Sequence, residues 1–451
     1  AAHDSHLPLY RAAVDNKPPG VLWLYQALHG WDAAGVFRVR VAEGVMVYLT
    51  ALLVMGWGWS RLGWYAGLVA GFGLAILTVA QVYTEALTEA PMILFTTLAF
   101  WLLWRGVTRG KRGYFAGAGL ALAAAFTCKQ VAAFDLIAAL GFLVTARELS
   151  SLQRRFSAVL LLAAGYAAGL LALGLLMLAQ HQFPEFWSQV VTSIASGGVS
   201  PERGERLAHL AALWPPLAGW WTPLGLAVLG CLAPVREELR PLRRLVAWWL
   251  PLTCLGFLSS GFLYFHQALG FFPPLALGTG LALVWIHDRL LPRLQVRTAL
   301  VLTLAFLLWI EPLALYQALI VTHLRRDYPL ELTYPQALGP WLDRHLPPGA
   351  TFYVVGVEVP LYLYSGRRAA SRYPYGGWTS RQVHETILRD FDAEPPAALI
   401  FSTPLNFPPL NDLGAMIRAW PGFVGYQRVP QPVPGGYELY LRQDLAAGIA
   451  P

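Results

Sequence analysis

Apolar stretches close to twenty residues long recur along the first 320 positions, separated by short links rich in Arg, Pro and Gly. A hydrocarbon core about 30 Å thick is crossed by roughly 20 apolar residues of helix, fewer where flanking side chains reach back to the interface. On that measure about ten spans are predicted, near 41–58, 62–81, 91–106, 114–128, 131–146, 158–180, 217–235, 245–261, 267–287 and 298–318. The pattern changes after residue 320. Short β-rich runs, Thr351–Gly356, Ala397–Ser402 and Tyr437–Arg442, alternate there with helical patterns over 334–346, 380–392 and 411–420. Pro347-Pro348-Gly349 and Pro395-Pro396 set these elements apart. Such alternation predicts a small α/β domain with a short sheet. Three units are expected: a first loop with an interfacial helix (1–40), a transmembrane domain (41–319) and the α/β domain (320–451).

Composition narrows the class. Of the 451 residues 56% are hydrophobic and 13% charged, with a mean hydropathy of +0.48. Soluble globular proteins carry about 25% charged residues, so a soluble enzyme, a disordered chain and a nucleic-acid-binding domain are excluded. The fold class is a polytopic α-helical membrane protein with a small C-terminal α/β domain. The net charge of +7 gains meaning from its placement. Fifteen basic residues fall in one alternate set of links: Arg61; Arg105 to Arg112; Arg147 to Arg155; Arg236 to Arg244; Arg289 to Arg297. The opposite short links hold Lys129, Arg203 and Arg206. The positive-inside rule assigns the first set to the cytoplasm, although Arg38 and Arg40 run against it. The first forty residues and everything after about residue 320 are then expected on the outer face of the plasma (inner) membrane. Eleven Arg balance eleven Asp and Glu after residue 320, so the excess charge belongs to the membrane part. Cys128, Cys231 and Cys254 lie in apolar stretches without a CxxC pair, which argues against a disulfide framework or a zinc knuckle. The first residue is Ala and no signal peptide is visible. The expectation is that a further transmembrane helix precedes the sequence.

Candidate chemistry collects in the outer links. The first contains His3-Asp4-Ser5-His6 and then Asp15-Asn16-Lys17-Pro18-Pro19-Gly20, followed by the interfacial stretch Val21-Leu22-Trp23-Leu24-Tyr25. Two prolines stiffen the chain beside Lys17, which suits a fixed anion site as well as a plain headgroup contact. Glu85 and Glu89 stand four residues apart, on one face if their turn is helical; end-charges, a sugar hydroxyl site and a divalent-metal site all fit that spacing. Lys129-Gln130 interrupts apolar sequence. Only three Lys occur in the chain, and two of them, Lys17 and Lys129, fall at the predicted outer edge of the membrane, where a lipid phosphate sits. The alternative for Lys129 is snorkelling at a helix end. Glu43, Asp135 and Glu311, in or near spans, are read as structural hydrogen-bond partners rather than catalysts. Neither GxGxxG opening a helix nor GxxxxGK[ST] occurs, so a nucleotide site lacks its motif.

The ordered set of motifs resembles the GT-C superfamily of membrane glycosyltransferases. The likeness is greatest to the family 39, protein-mannosyltransferase-like and aminoarabinose-transferase-like branch. Pro8-Leu9-Tyr10-Arg11 with Asp15-Asn16-Lys17-Pro18-Pro19-Gly20 resembles its first outer loop. Thr88-Glu89-Ala90-Pro91-Met92 resembles the acidic-x-Pro motif that opens a span, and Thr127-Cys128-Lys129-Gln130 resembles the Thr-x-Lys-Gly motif. Tyr264-Phe265-His266 with Phe272-Pro273-Pro274-Leu275-Ala276-Leu277 resembles the segment ending in Pro-Pro-Leu-Ala-Leu. Tyr353-Val354-Val355-Gly356 and Leu361 to Arg367 resemble the soluble tail of bacterial members. Departures occur at Ala12, Phe262, Gln267 and Gln130, where relatives carry Asp, Arg, Tyr and Gly.

The resemblance implies an enzyme that moves a sugar from a polyprenyl-phosphate carrier to a glycan, lipid or protein acceptor on the outer face, by inverting displacement. It implies Lys17, Lys129, Asp15, Glu89, Tyr264 and His266 as donor-binding residues. It places the catalytic acid upstream of residue 1, since Asp4 lies only thirteen residues before Lys17. No cofactor is assigned; a divalent metal is one candidate, and the spacing of Glu85 and Glu89 is what suggests it. The partners are the lipid-linked sugar and the bilayer, not nucleic acid. The rival reading is a transporter or flippase of lipid-linked sugars. Such proteins place polar sites near the bilayer midplane and often show repeated halves, and neither feature is evident here.

Overall fold

The computed structural model describes residues 10, 16–28, 33–82, 88–192, 221–259, 265–289, 333–356, 358–374, 381–402 and 408–448. Each of the first nine predicted spans coincides with a helix. A short helix α1 (Pro19–Ala27) precedes them. The helices at those positions are α2 (Ala33–Leu62), α3 (Trp64–Val82), α4 (Glu89–Arg109), α5 (Gly113–Cys128), α6 (Ala133–Thr145), α7 (Leu152–Ala179), α8 (Trp221–Leu232), α9 (Arg240–Ser259) and α10 (Phe272–Arg289). Four described stretches are long and apolar enough to cross a membrane by themselves: Phe37–Leu62, Glu89–Arg109, Leu152–Ala179 and Gln267–Arg289. The expected tenth span, 298–318, lies outside the described residues.

Two links show how the bundle is turned. α2 and α3 meet at Gly63, whose φ of +92° only glycine adopts without strain, so the chain reverses within one residue. α4 stops at Gly110 (φ +69°), a left-handed cap that accounts for the break before Lys111-Arg112. Where the helices cross, small residues let backbones touch. A Cβ on Gly165 would strike Ala116 of α5, and one on Gly230 would strike Gly278 of α10. Trp57, Phe100, Trp104, Phe142 and Trp249 are among the largest fully buried side chains of this bundle.

The basic links gather at one end. Arg61 lies 4.3 Å over the Trp104 ring and Arg105 lies 4.8 Å over Trp101. Arg236 makes two 2.8 Å hydrogen bonds to Asp288, and Arg244 reaches Glu148 at 2.7 Å. Charges from five links thereby meet at the ends of α2, α4, α6 and α10 and the start of α9.

The C-terminal residues build a four-stranded sheet of order β1-β2-β4-β3, from β1 (Phe352–Val355), β2 (Ala398–Ser402), β3 (Tyr426–Val429) and β4 (Tyr437–Arg442). β1 and β2 are parallel and the other two pairs antiparallel. Alternation along β1 sorts its side chains to two faces. Phe352 and Val354 pack with Leu338 and Leu342 of α11 (Thr333–His345) and Leu361 of α12 (Pro360–Ser365). Tyr353 and Val355 pack with Ile387 of α13 (Arg381–Ala393) and Leu413 of α14 (Pro408–Ala419). The three predicted strands and three predicted helices are all present. β3 and α12 are additional. The Arg367 guanidinium caps the end of α11 by donating to the carbonyls of Asp343 and Leu346 at 2.7 and 2.8 Å.

Candidate functional site

The polar motifs meet at the end of the bundle opposite the arginine-rich links. Lys17 sits in the turn just before α1, with its side chain exposed. Pro18 caps the helix in extended conformation (φ −63°, ψ 155°) and Pro19 begins it, where a missing N–H costs nothing. The turn is held through its own carbonyls. The Tyr10 hydroxyl donates to the Lys17 carbonyl at 2.8 Å, and the Gln130 side-chain amide donates to the Asn16 carbonyl. Tyr10 is itself fixed. Its φ of +65° is rare for a residue with a side chain, its carbonyl accepts from Gln189 at 2.7 Å, and its ring is buried beside Phe186, Leu173 and Met177. The Lys17 backbone is thus anchored from two sides while its side chain projects outward.

α1 then runs close over the end of α5. Gly20 faces Thr127, and any Cβ there would collide with the Thr127 hydroxyl and carbonyl. Glycine is required at this position for close approach rather than for φ. Further along α1, the Tyr25 hydroxyl donates to Glu43 of α2 at 2.9 Å. Burial first, then the negative charges of Glu43 and Glu89, push the Tyr25 phenol well above its ordinary range, so it stays protonated as a donor. Glu43, expected as a structural partner, has that role here.

α5 ends at Lys129, whose extended backbone (φ −157°, ψ 132°) breaks the chain before the 3-10 turn Gln130–Ala132 leads into α6. This break aims the Lys129 ammonium at Glu89, in the first turn of α4, and the two form an ion pair. Glu89 is buried and its second oxygen accepts from Thr88 at 2.9 Å. The buried pair joins the second motif to the third. The fourth lies nearby: in the 3-10 turn Phe265–Phe271, Gly270 faces Met92 of α4 and Phe271 packs edge-on against Phe257 of α9. His266 belongs to this turn by its backbone. Asp4, Asp15, Glu85 and Tyr264 lie outside the described residues.

Sequence reasoning read Lys129 and Glu89 as separate donor contacts; the fold makes them partners. It missed the clamps from Tyr10, Gln130 and Gln189, and the Tyr25–Glu43 bond. The signal for Gln130 was present in the sequence as a departure from glycine. For the metal, no three of His, Cys, Asp and Glu gather among the described residues, and Glu89 faces a lysine. Asp135 serves packing: Trp249 donates to it at 2.8 Å and stacks on Phe100 with ring centres 4.0 Å apart.

Residues 16–173 match the family described as dolichyl-phosphate-mannose-protein mannosyltransferase. The matched segment contains the Lys17 turn, Glu89 and Lys129. Together with the fold, this match supports a membrane glycosyltransferase of the GT-C superfamily. Among solved structures the chain is similar to ArnT from Cupriavidus metallidurans in the apo state, with a TM-score of 0.63 at 14% identity over 99% of this chain and 90% of that one. No curated protein sequence matches the chain.

Proposed function

We propose that the chain transfers a sugar from a polyprenyl-phosphate carrier to an acceptor at the outer membrane surface, with inversion at the anomeric carbon. The single observation that carries this reading is the Lys17 turn. Its backbone is fixed by Tyr10 and Gln130, and its side chain is exposed at the end of the bundle opposite the arginine-rich links. A donor with a long apolar tail keeps that tail in the bilayer and its phosphate at the headgroup plane. A cation already fixed there stabilises the phosphate as it leaves, because little reorganisation is needed when its charge develops. Direct attack by an acceptor hydroxyl opposite the leaving phosphate inverts the anomeric carbon, and a carboxylate takes the hydroxyl proton. Glu89 and Glu43 are already engaged by Lys129 and Tyr25, so neither is assigned that role.

Lys129 in this reading acts at one remove. Paired with Glu89, it ties the end of α5 to the start of α4 and sets Gln130 against the Lys17 turn. Asp15, Tyr264 and His266 are proposed contacts to the donor on their motifs alone. The positive-inside bias supports the outer face for this end and for the α/β domain. The test is transfer by purified full-length protein from a synthetic polyprenyl-phosphate sugar without any nucleotide sugar. Activity seen only with a soluble nucleotide sugar would contradict the lipid-donor reading.

A further inference from the structure

The segment that follows α7 bears on the Lys17 turn from outside the motifs. After a short helix, Phe183–Phe186, the chain winds through a π-helical turn, Trp187–Thr192. Such turns are rare and often mark functional sites. Phe186 and Val190 pack with Leu173 and Met177 of α7 in a cluster of their own, apart from the main core of the bundle, and Tyr10 is buried among them. From the same turn, the Gln189 side-chain amide donates to the Tyr10 carbonyl at 2.7 Å. Tyr10 holds a φ of +65°, a backbone conformation that a residue with a side chain keeps only where its surroundings impose it. The Gln189 bond and the burial of the ring are what impose it here.

The consequence falls on Lys17. The direction in which a side chain leaves the backbone is set by the two rigid peptide planes on either side of its Cα. At Lys17 both planes are tied through their carbonyl oxygens: Gln130 donates to that of Asn16, and the Tyr10 hydroxyl donates to that of Lys17 itself. The first tie comes from the main bundle, at the break between α5 and α6. The second hangs from Tyr10, and so from Gln189. Without the Gln189 amide the Tyr10 carbonyl loses that donor, the residue relaxes toward the ordinary range of φ, and its hydroxyl swings off the Lys17 carbonyl. A shift of about 1 Å in a group that must meet a reacting phosphate is costly even when its cause lies far from the chemistry.

We propose that Gln189 is a positioning residue for sugar transfer: acting through Tyr10, it fixes the backbone from which Lys17 meets the donor phosphate. This rests on the reading of Lys17 as the phosphate contact, and one double-mutant cycle tests the two separately. Release of polyprenyl phosphate from a polyprenyl-phosphate sugar is followed for the full-length native protein, Gln189→Leu, Lys17→Ala and the double variant, with kcat/KM for the donor as the readout. Gln189→Leu should lower it about tenfold, the effect of losing one hydrogen bond. Once Lys17 is Ala, the same substitution should change it by less than about twofold, because Gln189 acts only through that side chain. Gln189→Glu keeps the shape and lacks the amide donor; it should behave as Gln189→Leu does, and it replaces that variant in the cycle if the apolar side chain lowers melting. A role in folding alone would lower kcat/KM by the same factor in both backgrounds, and that result would overturn the proposal. So would full activity in both Gln189 variants where Lys17→Ala is impaired. Full activity in Lys17→Ala would instead remove the donor-site reading, and the proposal with it.

Discussion

Lys17 and Lys129 are chemically identical and do different work because of what stands beside them. Lys17 has proline on one side and two clamped carbonyls in its turn, so its backbone is fixed and its side chain is exposed. Replacing it with Ala should lower transfer roughly a hundredfold or more, about 3 kcal/mol, with unchanged melting in detergent. Lys17→Arg should recover only part of that, since a planar fork does not reproduce a compact charge. Unchanged turnover in Lys17→Ala would make it a surface lysine. Lys129 is instead spent on Glu89, a buried carboxylate. Lys129→Met alone strands that charge and should destabilise the protein by about 3–5 kcal/mol, while Lys129→Met with Glu89→Gln should regain much of the loss. Equal melting of the single and double variants would show that the pair carries no coupling. Sequence alone exposed both lysines through their scarcity, yet it could not pair Lys129 with Glu89 forty residues away. Spacing reports neighbours within an element, and this contact is made between elements.

At the scale of elements, α1 is a short helix lodged between α5 and α2, and its seat depends on Gly20 beneath Thr127. Gly20→Ala should force α1 off the end of α5, costing about 1–3 kcal/mol in melting and pulling the Lys17 turn from Gln130. Normal melting and normal transfer in Gly20→Ala would show that the close approach is dispensable. Hydropathy made the spans legible because burial in lipid leaves one signal, an unbroken apolar run, that needs no knowledge of partners. It failed where the signal is shared or weak. β3 carries exposed Gln427 and Arg428 as the edge strand of its sheet, so it lacks the apolar run that marked β1 and β2. α12 is only six residues long, too short for a helical period to show. Tyr25 read as one more interfacial aromatic, because its acceptor Glu43 lies on another helix.

The whole molecule has two unlike ends and a separate mixed sheet. Arginines and their acidic partners gather with Trp101 and Trp104 at one end of the bundle, while at the other lie Lys17, Lys129 and Glu89. On this account the arginine end is cytoplasmic and the sheet domain lies outside. Val424, 80% exposed at a turn of that domain, gives a direct check. A Val424→Cys variant should react with an impermeant thiol reagent on cells whose outer layers admit it, and labelling only after the inner membrane is opened would reverse the topology. The central claim, that the fixed Lys17 turn serves a lipid-phosphate donor, is tested most directly by one assay. Purified full-length protein is given a polyprenyl-phosphate sugar as sole donor, and release of free polyprenyl phosphate is followed for the native protein and for Lys17→Ala. The account predicts release by the native protein without nucleotide sugar and roughly hundredfold slower release by the variant. Release that requires a nucleotide sugar, or that proceeds equally fast without Lys17, would contradict it.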